Sequence, residues 1–210
     1  MPDLVTDAQG FLTELRQNND RDWFQARKAR YETALRDPAL ALLDRLAPRV
    51  AELLPGTVAT KLFRPHRDVR FSKDKTPYTT HLHMLWTTDT GGRQPLGWFF
   101  GIDPEGVRMG GGAMGFDKAV LDDWRARVAE DGAEIEATIR DIEAKGFTRP
   151  DPALKRVPAP YEQDHPQGDL LKRKGMTLWR DLEPGDDLDD SLMAAFRDLA
   201  PLQRLLADIV

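Results

Sequence analysis

Up to Gly56 the apolar residues recur every three or four positions, the period of a helix buried along one face. Thr6 and Gln9 form a capping box ahead of Phe11, Leu12 and Leu15. Asn18 and Asn19 mark a stop, after which Asn19 or Asp20 caps a second helix. Its stripe is Phe24, Lys28, Tyr31 and Leu35, with Lys28 the one polar member. Asp37-Pro38 reads as an N-cap followed by proline at the first helical position, opening a third helix lined by Leu43, Leu46, Val50 and Leu53. Pro48 predicts a kink or break near Ala47, and Pro55-Gly56 closes the segment.

The period then drops to two. Val58 to Arg64 alternates weakly, whereas His81 to Thr88 alternates cleanly, with Leu82, Met84 and Trp86 on one face and His81, His83 and Leu85 on the other. Gly97 to Asp103 is a nearly continuous apolar strand, Asp103-Pro104-Glu105-Gly106 a turn, and Val107 to Gly110 the return. The simplest arrangement is an antiparallel meander over about residues 58–112 with helices from the N-terminal and C-terminal segments on one face, an α+β fold.

Helical spacing resumes after Asp117, an N-cap with Phe116 and Leu121 at the staple positions. Leu121, Trp124 and Val128 form one stripe, and Ile135, Ile139 and Ile142 another that ends at Gly146. Residues 147–168 hold five prolines and read as an internal loop. The tail beyond is too short for a core of its own, so residues 1–210 form a single domain. That tail predicts a short basic helix at Leu170 to Lys174, a strand at Met176 to Arg180, and a last helix marked by Leu192, Phe196, Leu199, Leu202, Leu205 and Ile209. Trp23, Trp86, Trp98 and Trp124 fall at core positions, not interleaved with basic residues as in a single-strand nucleic-acid platform.

Composition narrows the function classes. The chain has 210 residues, 40% apolar and 31% charged, as a globular protein does. Its lack of cysteine excludes disulfides, iron–sulfur clusters, cysteine-based zinc sites and thiol catalysis. No apolar run has the length of a membrane span, and Met1 to Gly10 has no basic region followed by an apolar stretch, so the expectation is a soluble, cytoplasmic protein without membrane contact. The net charge of −5 gives no overall attraction for nucleic acid, so any anion binding must be local.

One segment departs from that balance. Lys61 to Lys75 holds six Lys or Arg against two Asp, a local charge of +4 that leaves −9 for the remainder. Arg64, Arg67, Arg70, Ser72, Lys73 and Lys75 are the candidate ligand-binding residues, because guanidinium forks match phosphate and carboxylate oxygens in pairs. Thr76-Pro77 ends the run in extended or turn geometry, which puts the cluster on a loop. Asp68, between Arg67 and Arg70, is placed to orient one guanidinium and leave the other free. The same residues serve equally as a structural ion-pair network.

The run Arg67-Asp68-Val69-Arg70-Phe71-Ser72-Lys73-Asp74-Lys75-Thr76-Pro77-Tyr78 resembles the signature of the conserved hypothetical family known as domain of unknown function 2461. Phe11-Leu12 to Phe24, Gly97 to Gly112, and Leu154 to Lys174 are similar to further parts of that family, so the likeness spans most of the chain. Thr79 and Pro158-Ala159-Pro160 depart from its pattern, each removing a positive charge. The resemblance implies a compact α+β domain and supplies no activity, substrate or cofactor.

Two motif-like strings lack their context. His66-Arg67-Asp68 spells a kinase triplet, but Lys73 stands where the catalytic asparagine belongs. Ser72-Lys73-Asp74-Lys75 spells Ser-x-x-Lys, but Pro77 follows too soon for the helix that chemistry needs. Gly110-Gly111-Gly112 and Gly115 precede a helix, where amides can hold an anion, or else mark a bulge or close packing. His81 and His83 share a strand face at a spacing that suits a metal, with Asp68 or Asp74 as carboxylate partners. With no third histidine in a fixed motif, packed histidines are the simpler reading and no metal ligand is assigned.

Three functional readings follow. The first is a pocket for a small anionic ligand bearing phosphate or carboxylate, lined by the basic loop, with the glycine triplet and Lys172 to Lys174 as added walls. Were it an enzyme, Asp68, Asp74, Tyr78, His81 and His83 would be the acid–base candidates. The second is a non-catalytic interaction module whose basic loop docks on an acidic partner. The third, nucleic-acid binding, is disfavoured by the net acidity.

Overall fold

The computed structural model describes residues 3–183, 185 and 187–210. Met1 and Pro2, at the head of the stretch inspected above for a leader, lie outside the described residues. Helix α1 (Leu4–Gln17) starts ahead of the expected capping box: Asp3 is the N-cap, accepting from the Val5 amide and the Thr6 hydroxyl. Asn18 ends it, and Asp20 caps α2 (Arg21–Tyr31) through the Trp23 amide at 2.8 Å.

The expected new start at Asp37-Pro38 does not occur. The backbone passes through a π-helical turn, Glu32–Arg36, straight into α3 (Asp37–Leu53), and the Asp37 amide reaches back five residues to the Glu32 carbonyl. Pro38 has no N–H to give, and one wide turn is a common way for a helix to absorb such an irregularity. Nor does Pro48 break α3, which is continuous to Leu53; Leu46 and Val50, buried on either side of it, hold the helix down.

Strands β1 (Thr57–Leu62), β2 (Leu82–Asp89), β3 (Leu96–Asp103), β4 (Gly106–Ala113) and β5 (Met176–Asp181) form one antiparallel sheet in chain order. The meander is as expected, with β5 returning to its far edge. The glycine triplet is a correction. Gly110 to Gly112 lie inside β4, and a Cβ on Gly112, at φ +121°, would stand 2.1 Å from the Met176 carbonyl oxygen. Gly110 and Gly112 let β5 approach closely, Gly111 makes room for Gly97 and for Gln203 on the helix side, and all three belong to the sheet.

Helices cover one face of the sheet: α3 lies on β1 and β2, α1 on β3, and α6 (Leu188–Ala207) on β3 and β4. Helix α4 (Lys118–Glu143), capped by Asp117 as expected, packs on α6 and on the single turn α5 (Gly168–Leu171). It joins the two predicted stripes across one bend at Asp131. On the covered face Leu82, Met84, Trp86, Trp98, Phe100 and Ile102 are fully buried. Trp86 and Trp98 pack edge-on to Phe196 of α6, and Trp86 donates its ring N–H to the Leu43 carbonyl. Trp124 is also fully buried, whereas Trp23 is only partly covered. No helix among the described residues is long and apolar enough to cross a membrane.

The proline-rich stretch is pinned rather than loose. Thr148 bridges to Trp179 of β5, and Arg149 forks to both Glu136 and Glu143 of α4 at 2.6–2.9 Å with its side chain 16% exposed. Those carboxylates push the guanidinium pKa upward, hydrogen bonding to Glu143 and then Glu136 outweighing desolvation. Removing Arg149 would strand two carboxylates facing each other in partial burial. Arg149→Met should therefore lower stability by roughly 3 kcal/mol, the low end for a broken buried pair. In urea this should appear as a lower midpoint at unchanged slope.

Candidate functional site

Alternation on β2 sends Leu82, Met84 and Trp86 inward and His83, Leu85 and Thr87 outward. No helix among the described residues packs over the outward face, where Phe63, His83, Leu85, Phe99 and Trp179 stay partly exposed. His83 lies opposite Gly101 of β3, and just past the Leu82–Ile102 pair that ends the ladder His81 and Asp103 bring their donor atoms within 4.8 Å. A Cβ on Gly101 would come within 3.0 Å of the His83 ring and 2.9 Å of Phe99, so glycine there lets the imidazole lie flat over β3. The His81 and His83 rings stack at 3.6 Å and 11°, and Phe99 and Phe63 meet His83 edge-on.

Partial burial sets the protonation of this group. It lowers the His81 pKa, against the pull of Asp103. It pulls His83 down to about 4, helped by the charge His81 would carry. It raises that of Asp103, opposed by His81. Both imidazoles are therefore neutral at pH 7, each with a nitrogen lone pair.

Beside His81 opens a cleft of about 380 Å³ lined by Arg16, Asn19, Arg67, Asp74, Thr76, Tyr78, Thr79, Thr80 and His81. Its wall is the basic loop, tied to the α1–α2 corner. Asn19 donates to the Tyr78 carbonyl at 2.9 Å and accepts from the Tyr78 amide at 3.1 Å. The Tyr78 ring stacks on Phe24 at 4.1 Å. A short bridge between His66 and Tyr78 closes the neck of the loop. Within it Arg67 uses one nitrogen, Nη1, to reach Asp74 and Thr76. Asp74 also accepts from the Thr76 amide, and these contacts draw its carboxyl down to about 2, the Thr76 amide contributing most and Arg67 next.

The predicted binding residues are spread rather than gathered. Arg67 alone of the six lines the cleft. Arg70 forks to Asp68 at the exposed tip, Lys75 donates to the Val69 carbonyl, and Arg64 and Lys73 are exposed. Ser72 is partly buried within the loop. Of the acid–base candidates, Asp74, Tyr78 and His81 reach the cleft, His83 stands behind His81, and Asp68 is turned to Arg70. Asp68 and Asp74 are thus engaged by arginines, and the carboxylate beside the two histidines is Asp103. Arg173 and Lys174 line a separate cavity along β5, where buried Arg173 is held by Asp169 and the Pro150 carbonyl. His165 accepts from the Gln167 amide at the start of α5.

Arg16, Asn19, Thr76, Thr80 and Asp103 were not singled out from sequence. Asn19 reads as a helix stop and Asp103 as the first residue of a turn, and both descriptions are true of their backbones. Only the β2–β3 register discloses the second role of Asp103.

The model of the conserved hypothetical protein family DUF2461 matches residues 7–204, nearly the full chain, and the protein belongs to that family. This is the family whose signature run forms the basic loop. No curated protein matches the chain.

The Asp74 carboxylate has a lower pKa folded than unfolded, so its contribution is complete above the ordinary value near 3.8 and is lost as pH falls through about 2. The Thr76 amide resonance should accordingly titrate with a midpoint near 2. In Arg67→Met that midpoint should move up towards the ordinary carboxylate value.

Proposed function

We propose that this protein binds a small anionic ligand bearing a phosphate or carboxylate group in the cleft between the α1–α2 corner and the basic loop. The observation that carries the reading is the posture of Arg67. It is anchored through Nη1 alone, leaving Nε and Nη2 without partners among the described residues, on the wall of a cleft of about 380 Å³. A guanidinium held at one corner keeps an edge for an incoming oxygen pair and loses little side-chain freedom on binding. The Thr80 hydroxyl adds a neutral donor, while those of Thr76 and Thr79 are given to Asp74 and the Pro65 carbonyl, and the cleft is within the size range of small-molecule sites. Arg16 contributes less, because its two terminal nitrogens are spent on Glu105.

A second reading has its own support. Phe71 at the loop tip is 95% exposed, beside Arg70 and Lys73, an apolar and cationic knob suited to an acidic protein partner. That reading requires binding that weakens with salt and with Phe71→Ser, and is indifferent to residues in the cleft.

Thermal melting against phosphate, pyrophosphate, sugar phosphates, nucleotides and small carboxylates tests the cleft. A ligand at about 100 times its Kd adds roughly 2.7 kcal/mol, or about 5–10 °C for a chain of this size. Arg67→Met should abolish the shift. Asp74→Asn, which removes a competing carboxylate and keeps the guanidinium, should preserve or enlarge it. Loss in both variants would mean that the Arg67–Asp74 clasp serves the loop and not a ligand.

A further inference from the structure

We infer that His81, His83 and Asp103 form a binding site for a first-row divalent metal ion. One donor atom from each of the three lies within 4.8 Å of the others. Donors about 2.0–2.2 Å from a common ion stand roughly 3–3.5 Å apart, so the partly exposed side chains must rotate to close the set. The near-parallel stack, 3.6 Å between centroids and 11° between planes, sets the two in-plane lone pairs alongside each other, and His81 must turn out of it to share an ion with His83.

Two further features fit a cation and are not needed by the fold. Neither imidazole nor the Asp103 carboxylate has a side-chain hydrogen bond or ion pair among the described residues; Gln9 reaches only the Asp103 backbone carbonyl. These polar groups are half-buried at one spot and unspent, whereas Asp68 and Asp74 nearby are both engaged. The site is also framed. Phe63 and Phe99 flank His83 edge-on, and Gly101 leaves the space its ring occupies, so the His83 ring is held over β3.

The donor set selects the ion. Two imidazoles with one carboxylate suit zinc, iron(II), cobalt(II) or nickel(II), and suit magnesium and calcium poorly, since those prefer all-oxygen shells. Three protein ligands leave coordination positions open, and His81 borders the cleft. The inference stands apart from anion binding at Arg67: each can hold without the other.

The test is titration of the tag-free, chelator-treated full chain with Co2+, followed by visible absorption, with Zn2+ competition. One equivalent should bind with d–d bands of a low-coordinate nitrogen–oxygen site and be displaced by Zn2+. His83→Gln and Asp103→Asn should each lose the bands and the stoichiometric binding, while Arg67→Met keeps both. A variant that misfolds is replaced by a measurement on the unaltered chain. Co2+ should broaden amide resonances first at His81, His83, Gly101 and Asp103. Broadening centred elsewhere, or binding no tighter than that of His83→Gln, would overturn the site.

Discussion

One-sided burial of a single antiparallel sheet governs this protein. Successive residues of a strand point to opposite faces, so covering one face with α1, α3 and α6 commits every second side chain of β2 and β3 to the interior. Met84, Trp86, Trp98 and Phe100 are spent on the core. Their neighbours His83, Leu85, Phe99 and Gly101 are left on a face that no helix occupies. A slip of one residue would bury the histidines and expose the tryptophans, so the same apolar term that stabilises the fold holds His81, His83 and Asp103 in place.

The basic loop is organised on another principle. It contributes little to the core apart from Tyr78, and its order comes from polar groups satisfied at both ends: Asn19 on the Tyr78 backbone, and Asp74 with Arg67 and Thr76. The exposed Arg70–Asp68 pair adds little energy, because solvent screens it. The local +4 charge is therefore a poor guide to where a ligand would bind. What distinguishes Arg67 is a restricted posture with an unspent edge beside a concave surface.

The two proposed sites meet at His81, which ends the metal-ligating set and begins the cleft wall. Two imidazoles and a carboxylate on the outward sheet face thus lie beside a cleft whose wall also holds the anchored guanidinium of Arg67. A ligand with an anionic group could satisfy the second while its oxygen approached the first.

Much was legible in the residues alone. The periods of about three to four and of two located the helices and strands, and the cap at Asp117 and the turn at Asp103–Gly106 fell where local chemistry demands them. The signature run from Arg67 to Tyr78 named the family. Asp37-Pro38 and Pro48 misled because proline costs one hydrogen bond locally, and burial of Leu35, Leu46 and Val50 outweighs that cost. The glycine triplet misled because a strand interior and a loop look alike until β5 is seen against it. The sequence by itself determined which residues of β2 and β3 face the core, the order and type of the main helices and strands, and that His81 and His83 share a face. Only the tertiary structure decided that Asp103 joins them, that Arg67 alone of the basic run borders a cleft, and that Asn19 anchors the loop. Those facts depend on strand register and on contacts between segments far apart in the chain, which no local pattern encodes.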